Sequence, residues 1–176
     1  MIEVTHNGRI YQAMIDLGFE SSRFSKRLDR SFSGVTLGDH ISALATSEKG
    51  RLVGTDEVGG TIHYFATRYE SSELLEQILY YWHDQLALIT LKHSGGYCGG
   101  WNSVVEQTTD KYGPPSREGI RRAIWNDGQT VLIVDRDPAA YITTSLGDLG
   151  FALKYLHLQN SLVPQLNKEA ERYRED

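Results

Sequence analysis

Two hydrophobic spacings, the three-to-four-residue repeat of helices and the alternation of strands, divide this 176-residue chain into its predicted elements. Near the start Ile10, Met14 and Leu17 recur at helical spacing and Gly18 reads as a stop, so residues 8–30 are expected to be helical. Phe24 and Leu28 continue the pattern and leave Arg23, Lys26, Arg27 and Arg30 on the opposite face. That basic face suits an acidic partner; with Glu20 and Asp29 nearby, a solvated helix surface is the simpler account. Gly38-Asp39 then signals a turn into a short helix, with Asp39 capping free backbone N–H groups. Residues 46–60, rich in glycine, serine and charge and closing on Gly59-Gly60, are expected to be a loop.

Strand signals take over from there. Residues 61–69 concentrate β-branched and aromatic side chains. Residues 78–82 and 86–91 flank His83-Asp84-Gln85 as a hairpin, and alternation puts Ile78, Tyr80 and Trp82 on one side. A glycine-rich break over 94–100 precedes a helix over 102–112, capped by Asn102 or Ser103 and ended by Gly113-Pro114-Pro115. Around Asn126-Asp127-Gly128, residues 122–125 and 130–134 form a second hairpin, with Asp-Gly as its turn. Shorter strands are expected at 141–146 and 151–158, and an exposed terminal helix at 161–176.

Clusters of strands joined by tight turns imply an α+β protein: an antiparallel sheet with helices packed on one face. The length fits one domain, divided into an N-terminal helical segment (1–31), an α+β body (32–160) and a C-terminal helix (161–176). At this size a single core buries roughly 70% of the unfolded surface without covalent staples.

Two stretches carry a family resemblance. Phe32-Ser33-Gly34-Val35-Thr36-Leu37-Gly38-Asp39, entering a short helix and then strands, resembles the opening of BLIP-like and BamE-like repeats, the folds of beta-lactamase inhibitor protein and of an outer-membrane assembly lipoprotein. Val104-Val105-Glu106-Gln107-Thr108-Thr109-Asp110-Lys111-Tyr112-Gly113-Pro114-Pro115 is similar to the helix-then-Lys-Tyr-Gly-x-Pro pattern of many small bacterial proteins. In those a Trp-bearing strand and an Asp-Gly turn follow, as Trp125 and Asp127-Gly128 do here. The resemblance implies two tandem helix-plus-sheet units, 32–93 and 102–158. It also implies a non-catalytic binder of bacterial or phage origin that acts as an inhibitor, immunity or assembly protein. The first unit lacks the proline after its helix, and the first 30 residues have no counterpart.

Composition narrows the function classes. A net charge of −5 and a pI near 5.7 weaken generic nucleic-acid or anionic-membrane binding, although Arg117, Arg121 and Arg122 cluster beside Trp125. Cys98 is the single cysteine, so no internal disulfide forms. No basic leader or long apolar run is visible, which makes a cytoplasmic protein the expectation.

Catalytic chemistry has one opening. Cys98 lies in a glycine-rich turn before a helix, where a thiol pKa drops, and His157 and Asn160 follow as base and orienter of a papain-like or cell-wall-peptidase-like cysteine hydrolase. A small thiol filling a turn is the simpler account. The six histidines form no paired metal motif, the glycines form no phosphate loop, and no cofactor is called for. The surplus is aromatic: 10 tyrosines and 3 tryptophans. Such side chains dominate binding energetics, because they bury large area while losing few rotamers. Tyr80, Trp82, Trp101 and Trp125, with Tyr64, are the candidate anchors, and Arg23, Lys26, Arg27 and Arg30 the candidate charges. The expected function is occlusion of another protein, as an inhibitor, immunity or anti-defence protein; a second copy of the chain is a further candidate partner. The alternative is the hydrolase.

Overall fold

Both expected hairpin turns form, and their chemistry explains why. The computed structural model describes residues 24–46, 51–57, 61–71 and 73–152. His83 and Asp84 both have positive φ, 51° and 59°, the backbone of a two-residue turn whose twist matches the flanking strands. At the other turn Asn126 Oδ1 accepts from Gly128 N at 2.8 Å, and Asp127 Oδ1 accepts from Gln129 N and Thr130 N at 2.9 and 2.7 Å. Gly128, at φ 90°, supplies the left-handed position.

A small hairpin of β1 (Ser31–Phe32) and β2 (Val35–Thr36) precedes the main sheet. The remaining strands are β3 (Arg51–Glu57), β4 (Thr61–Arg68), β5 (Leu74–Trp82), β6 (Gln85–His93), β7 (Arg117–Glu118), β8 (Arg122–Asn126), β9 (Thr130–Arg136) and β10 (Ile142–Asp148). They form one 8-stranded antiparallel sheet in the order β3-β4-β5-β6-β10-β9-β8-β7. Two four-strand meanders, each consecutive in sequence, thus meet through their last strands, with Ile89 registered to Leu146. Between β6 and β7 the chain makes a 3-10 turn (Tyr97–Gly99) and helix α1 (Trp101–Tyr112).

The α+β class is realised with α1 on one face. There Trp101, Val104 and Val105 pack onto Leu91, Trp125, Leu132 and Val134, and Ile41 and Leu44 of the 3-10 helix Ile41–Thr46 join the same cluster. On the second face Ile124, Val131 and Ile133 meet Leu149 and Ala152, while Ile62 and Leu88 meet Phe151. A bulge sorts side chains between the faces: Tyr80 pairs with Leu88 but Tyr81 with Leu86, leaving Ala87 as the extra residue. Leu86 therefore joins the helix-side core and Leu88 the other.

Five expectations change. Residues 24–30 contain no helix. Their backbone donors are used in tertiary bonds instead: Ser25 N to Asn126 O at 2.9 Å, Lys26 N to Tyr112 O at 3.1 Å and Leu28 N to Asp127 Oδ2 at 2.8 Å. The segment is an extended strap across α1 and the β8–β9 turn. Arg51–Glu57, read as loop, is a strand. It lies at the sheet edge with a register shift between Leu52 and Gly54, and edge strands tolerate the charge and glycine that read as loop. Phe151 opens no strand; the chain is helical from Leu149 to Ala152, because both neighbours of β10 are already taken and no place in the sheet remains there. Neither Asn102 nor Ser103 caps α1, whose N-cap is Gly100 at φ 98°; Ser103 Oγ accepts instead from Gln107 Nε2 at 3.2 Å. Asp39 likewise caps backward, its Oδ2 accepting from Thr36 N at 3.0 Å. The helix expected over 8–23 and the elements expected over 153–176 lie outside the described residues.

Candidate functional site

The expected aromatic anchors divide between the two faces. Trp125 is 0% exposed and its Nε1 donates to Gly113 O at 2.9 Å; Trp101 is 8% exposed, with the Arg136 guanidinium 6.0 Å from its ring. Both belong to the helix-side core, which withdraws them from any docking surface. Tyr80 and Trp82 project from the second face and are half-buried. Tyr80 lies 5.8 Å from Tyr64, and Trp82 lies 5.7 Å from Phe151 and 4.6 Å from His83.

The basic candidates divide as well. Arg30 is structural: its guanidinium donates to Thr130 Oγ1 and to Asp148 Oδ2, each at 2.7 Å, fastening the strap to β9 and β10. Lys26 and Arg27 are exposed on the strap, though not as one helical face, and Arg23 lies outside the described residues. Trp125 is buried on the helix side, whereas Arg122 lies on the opposite face and bonds Asp135 at 2.6 and 3.1 Å, so Trp125 is not a stacking partner for the basic cluster.

Strand register assembles a feature that no local motif announces. Arg68 pairs with Glu76, Glu76 with Lys92, Lys92 with Thr143, Thr143 with Asp135 and Asp135 with Arg122. Because paired residues share a face, these six strands lay one row of alternating charge across the second face. Arg68 and Glu76 approach to 3.4 Å, and Lys92 Nζ sits 4.5 Å over the Tyr141 ring. The next row carries half-buried Ala66, Ile78, Thr90 and Ser145, and the one after it Tyr64 and Tyr80. Each strand contributes one member, so single-strand patterns could not reveal the row.

On the helix side Cys98 is exposed, with φ 50°, in the turn before α1. Its expected partners His157 and Asn160 lie outside the described residues. What stands beside it is Tyr97, whose ring stacks on His93 with centroids 3.8 Å apart and planes 12° apart. His93 is 5% exposed. Burial holds its imidazole below the usual pKa, against a smaller opposing pull from Glu73. Burial pushes the Tyr97 phenol up, helped by a hydrogen bond with Cys98 and by the Cys98 and Glu73 charges. Both rings line a cavity of about 450 Å³ between the strap, α1 and the sheet. At its mouth Asp29 Oδ2 accepts from Lys111 Nζ at 2.5 Å and from Tyr112 OH at 3.0 Å. Those bonds, the Lys111 one foremost, hold the Asp29 carboxyl below its ordinary range and raise Lys111. Among the described residues no group of three or more His, Cys, Asp or Glu could hold a metal ion, and no helix is long and apolar enough to cross a membrane.

A family model, the TP0088 domain, matches residues 11–165. The chain belongs to the TP0088 domain family. No curated protein and no solved structure matches it. The TP0088 domain takes in every described residue, so the strap, α1 and both meanders are parts of one family unit.

Proposed function

We propose that this protein works by binding another protein, without chemistry of its own, and that the second face of the sheet is the docking surface. The observation that carries the reading is the charged row across six strands beside half-buried Tyr64 and Tyr80. Exposed ion pairs contribute at most about 1 kcal/mol each to folding, so five charges in register are a weak stability device and a good recognition one. The rigid sheet has already met the ordering cost of presenting them. The fitting partner is a protein element whose acidic and basic side chains alternate in the complementary order beside an apolar patch.

Two meanders joined edge to edge also support the likeness to tandem BLIP-like and BamE-like units. Occlusion of a partner, as an inhibitor, immunity or anti-defence protein, follows from that likeness. Tyr80 and Trp82 remain the anchors, each capable of about 2–4 kcal/mol on truncation if central to an interface.

A photo-crosslinking amino acid at Tyr64, compared with the same group at exposed Glu106 on α1, tests the reading in cells. The Tyr64 probe should capture one protein that the Glu106 probe does not, and Lys92→Glu with Arg68→Glu should abolish the adduct. Equal capture from both positions, or capture indifferent to the charge reversals, would sink the proposal.

A further inference from the structure

The cavity between strap, helix and sheet belongs to the opposite face and needs its own account. Its floor is apolar, with Leu91, Leu132, Val134 and Leu146 from the three strands β6, β9 and β10 and Val104 from α1. Its volume of about 450 Å³ falls inside the range of small-molecule sites, roughly 300–1,000 Å³. Its wall includes His93, whose Nδ1 is buried without a hydrogen-bond partner. A buried polar atom left unpaired costs about 1–3 kcal/mol, which a ligand donor or acceptor would recover.

We propose that this cavity binds a small, planar, uncharged organic molecule that carries one O–H or N–H group for the His93 imidazole. Three observations set that chemistry. The stacked His93 and Tyr97 rings offer a flat wall, which favours a planar body. Among the described residues, the charged side chains lining the space are Asp29 and Lys111, which neutralise each other at 2.5 Å, so a charged ligand would have to break their pair. A neutral imidazole presents one acceptor and one donor nitrogen, enough to fix a single hydroxyl or N–H in place. Nδ1 is closed to solvent beside the stacked Tyr97 ring, so ligand entry requires that ring to shift on its turn, which Gly95, Gly96, Gly99 and Gly100 flank, and the His93 ring then supplies the flat wall. The site is independent of the second sheet face, and either reading can stand without the other.

Titration of the full-length, 15N-labelled protein with indole, followed through the imidazole nitrogens and the backbone amides, tests this. Indole should shift the His93 ring nitrogens and the Thr144 and Val134 amides saturably, and benzoate should bind at least about tenfold more weakly. His93→Phe keeps a flat ring and removes both nitrogens; it should weaken indole by about tenfold, equivalent to 1.4 kcal/mol, while leaving the thermal midpoint equal or higher. Thr108→Trp, which fills the cavity from α1, should abolish the shifts. No saturable change at His93, shifts confined to exposed residues, benzoate binding as tightly as indole, or undiminished binding to His93→Phe would each overturn the proposal.

Discussion

Asp127 is the residue through which a local turn and the long-range strap depend on one carboxylate. Its Oδ1 accepts from Gln129 N and Thr130 N inside the hairpin, and its Oδ2 accepts from Leu28 N, 99 residues away. Asp127→Ala removes all three bonds. Gln129 is exposed and water replaces its partner, so the loss falls on the part-buried Leu28 and Thr130 donors. Hydrogen bonds to a charged group contribute about 1.5–3 kcal/mol each, so two at the lower end sum to about 3 kcal/mol. Asp127→Asn separates the contributions: with its carbonyl oxygen toward Thr130 the turn survives, but an NH2 group then opposes the Leu28 N–H. That variant should lose about half as much. Urea unfolding of wild type and both variants, read as midpoint shifts at constant slope, measures the difference. In heat, the alanine variant should unfold about 6–12 °C lower, at roughly 2–4 °C per kcal/mol for this size. A loss below about 1 kcal/mol for alanine, or equal losses in the two variants, would refute the claim that the strap bond is a separate contribution.

Three further outcomes follow from the geometry. His93 has a folded pKa below 6.5, so the unfolded chain binds the extra proton first; stability is complete above pH 6.5 and falls as pH drops through that value, and His93→Phe should flatten this slope in urea titrations across pH 5–7. Gly95→Ala should destabilise by about 1–3 kcal/mol, because its Cβ would lie 2.7 Å from the Ala140 backbone oxygen, and an alanine that leaves the thermal midpoint unchanged would contradict that contact. Asp29 has a lowered pKa, so its bond with Lys111 stabilises above pH 3.8 and is lost as pH falls below it; with both side chains more than half exposed, Lys111→Met should cost under about 1 kcal/mol by the same urea assay.

Local chemistry made much of this architecture readable from the chain alone. Asp127-Gly128 between β-forming runs, the break at His83-Asp84-Gln85, and Gly113-Pro114 after an amphipathic run each specify backbone geometry through atoms a few residues apart, and each element formed, the second as a two-residue turn with Gln85 already in β6. The alternation of Ile78, Tyr80 and Trp82 correctly placed them on one face. What failed depended on distant partners. Phe24 and Leu28 have helical spacing, yet their segment is extended because Asn126, Tyr112 and Asp127 offer acceptors that a helix could not reach. Trp101 and Trp125 have the composition of interface anchors, but α1 closing over the sheet buries both. The site was the least legible part. The charged row exists only once six strands take their register, and the cavity only once the strap crosses α1 beside His93. Sequence by itself determined where the chain turns and which residues alternate, because those choices are made over a few bonds. The tertiary structure decided which face is covered and which charges meet, because those depend on contacts between segments whose separation along the chain leaves no local trace.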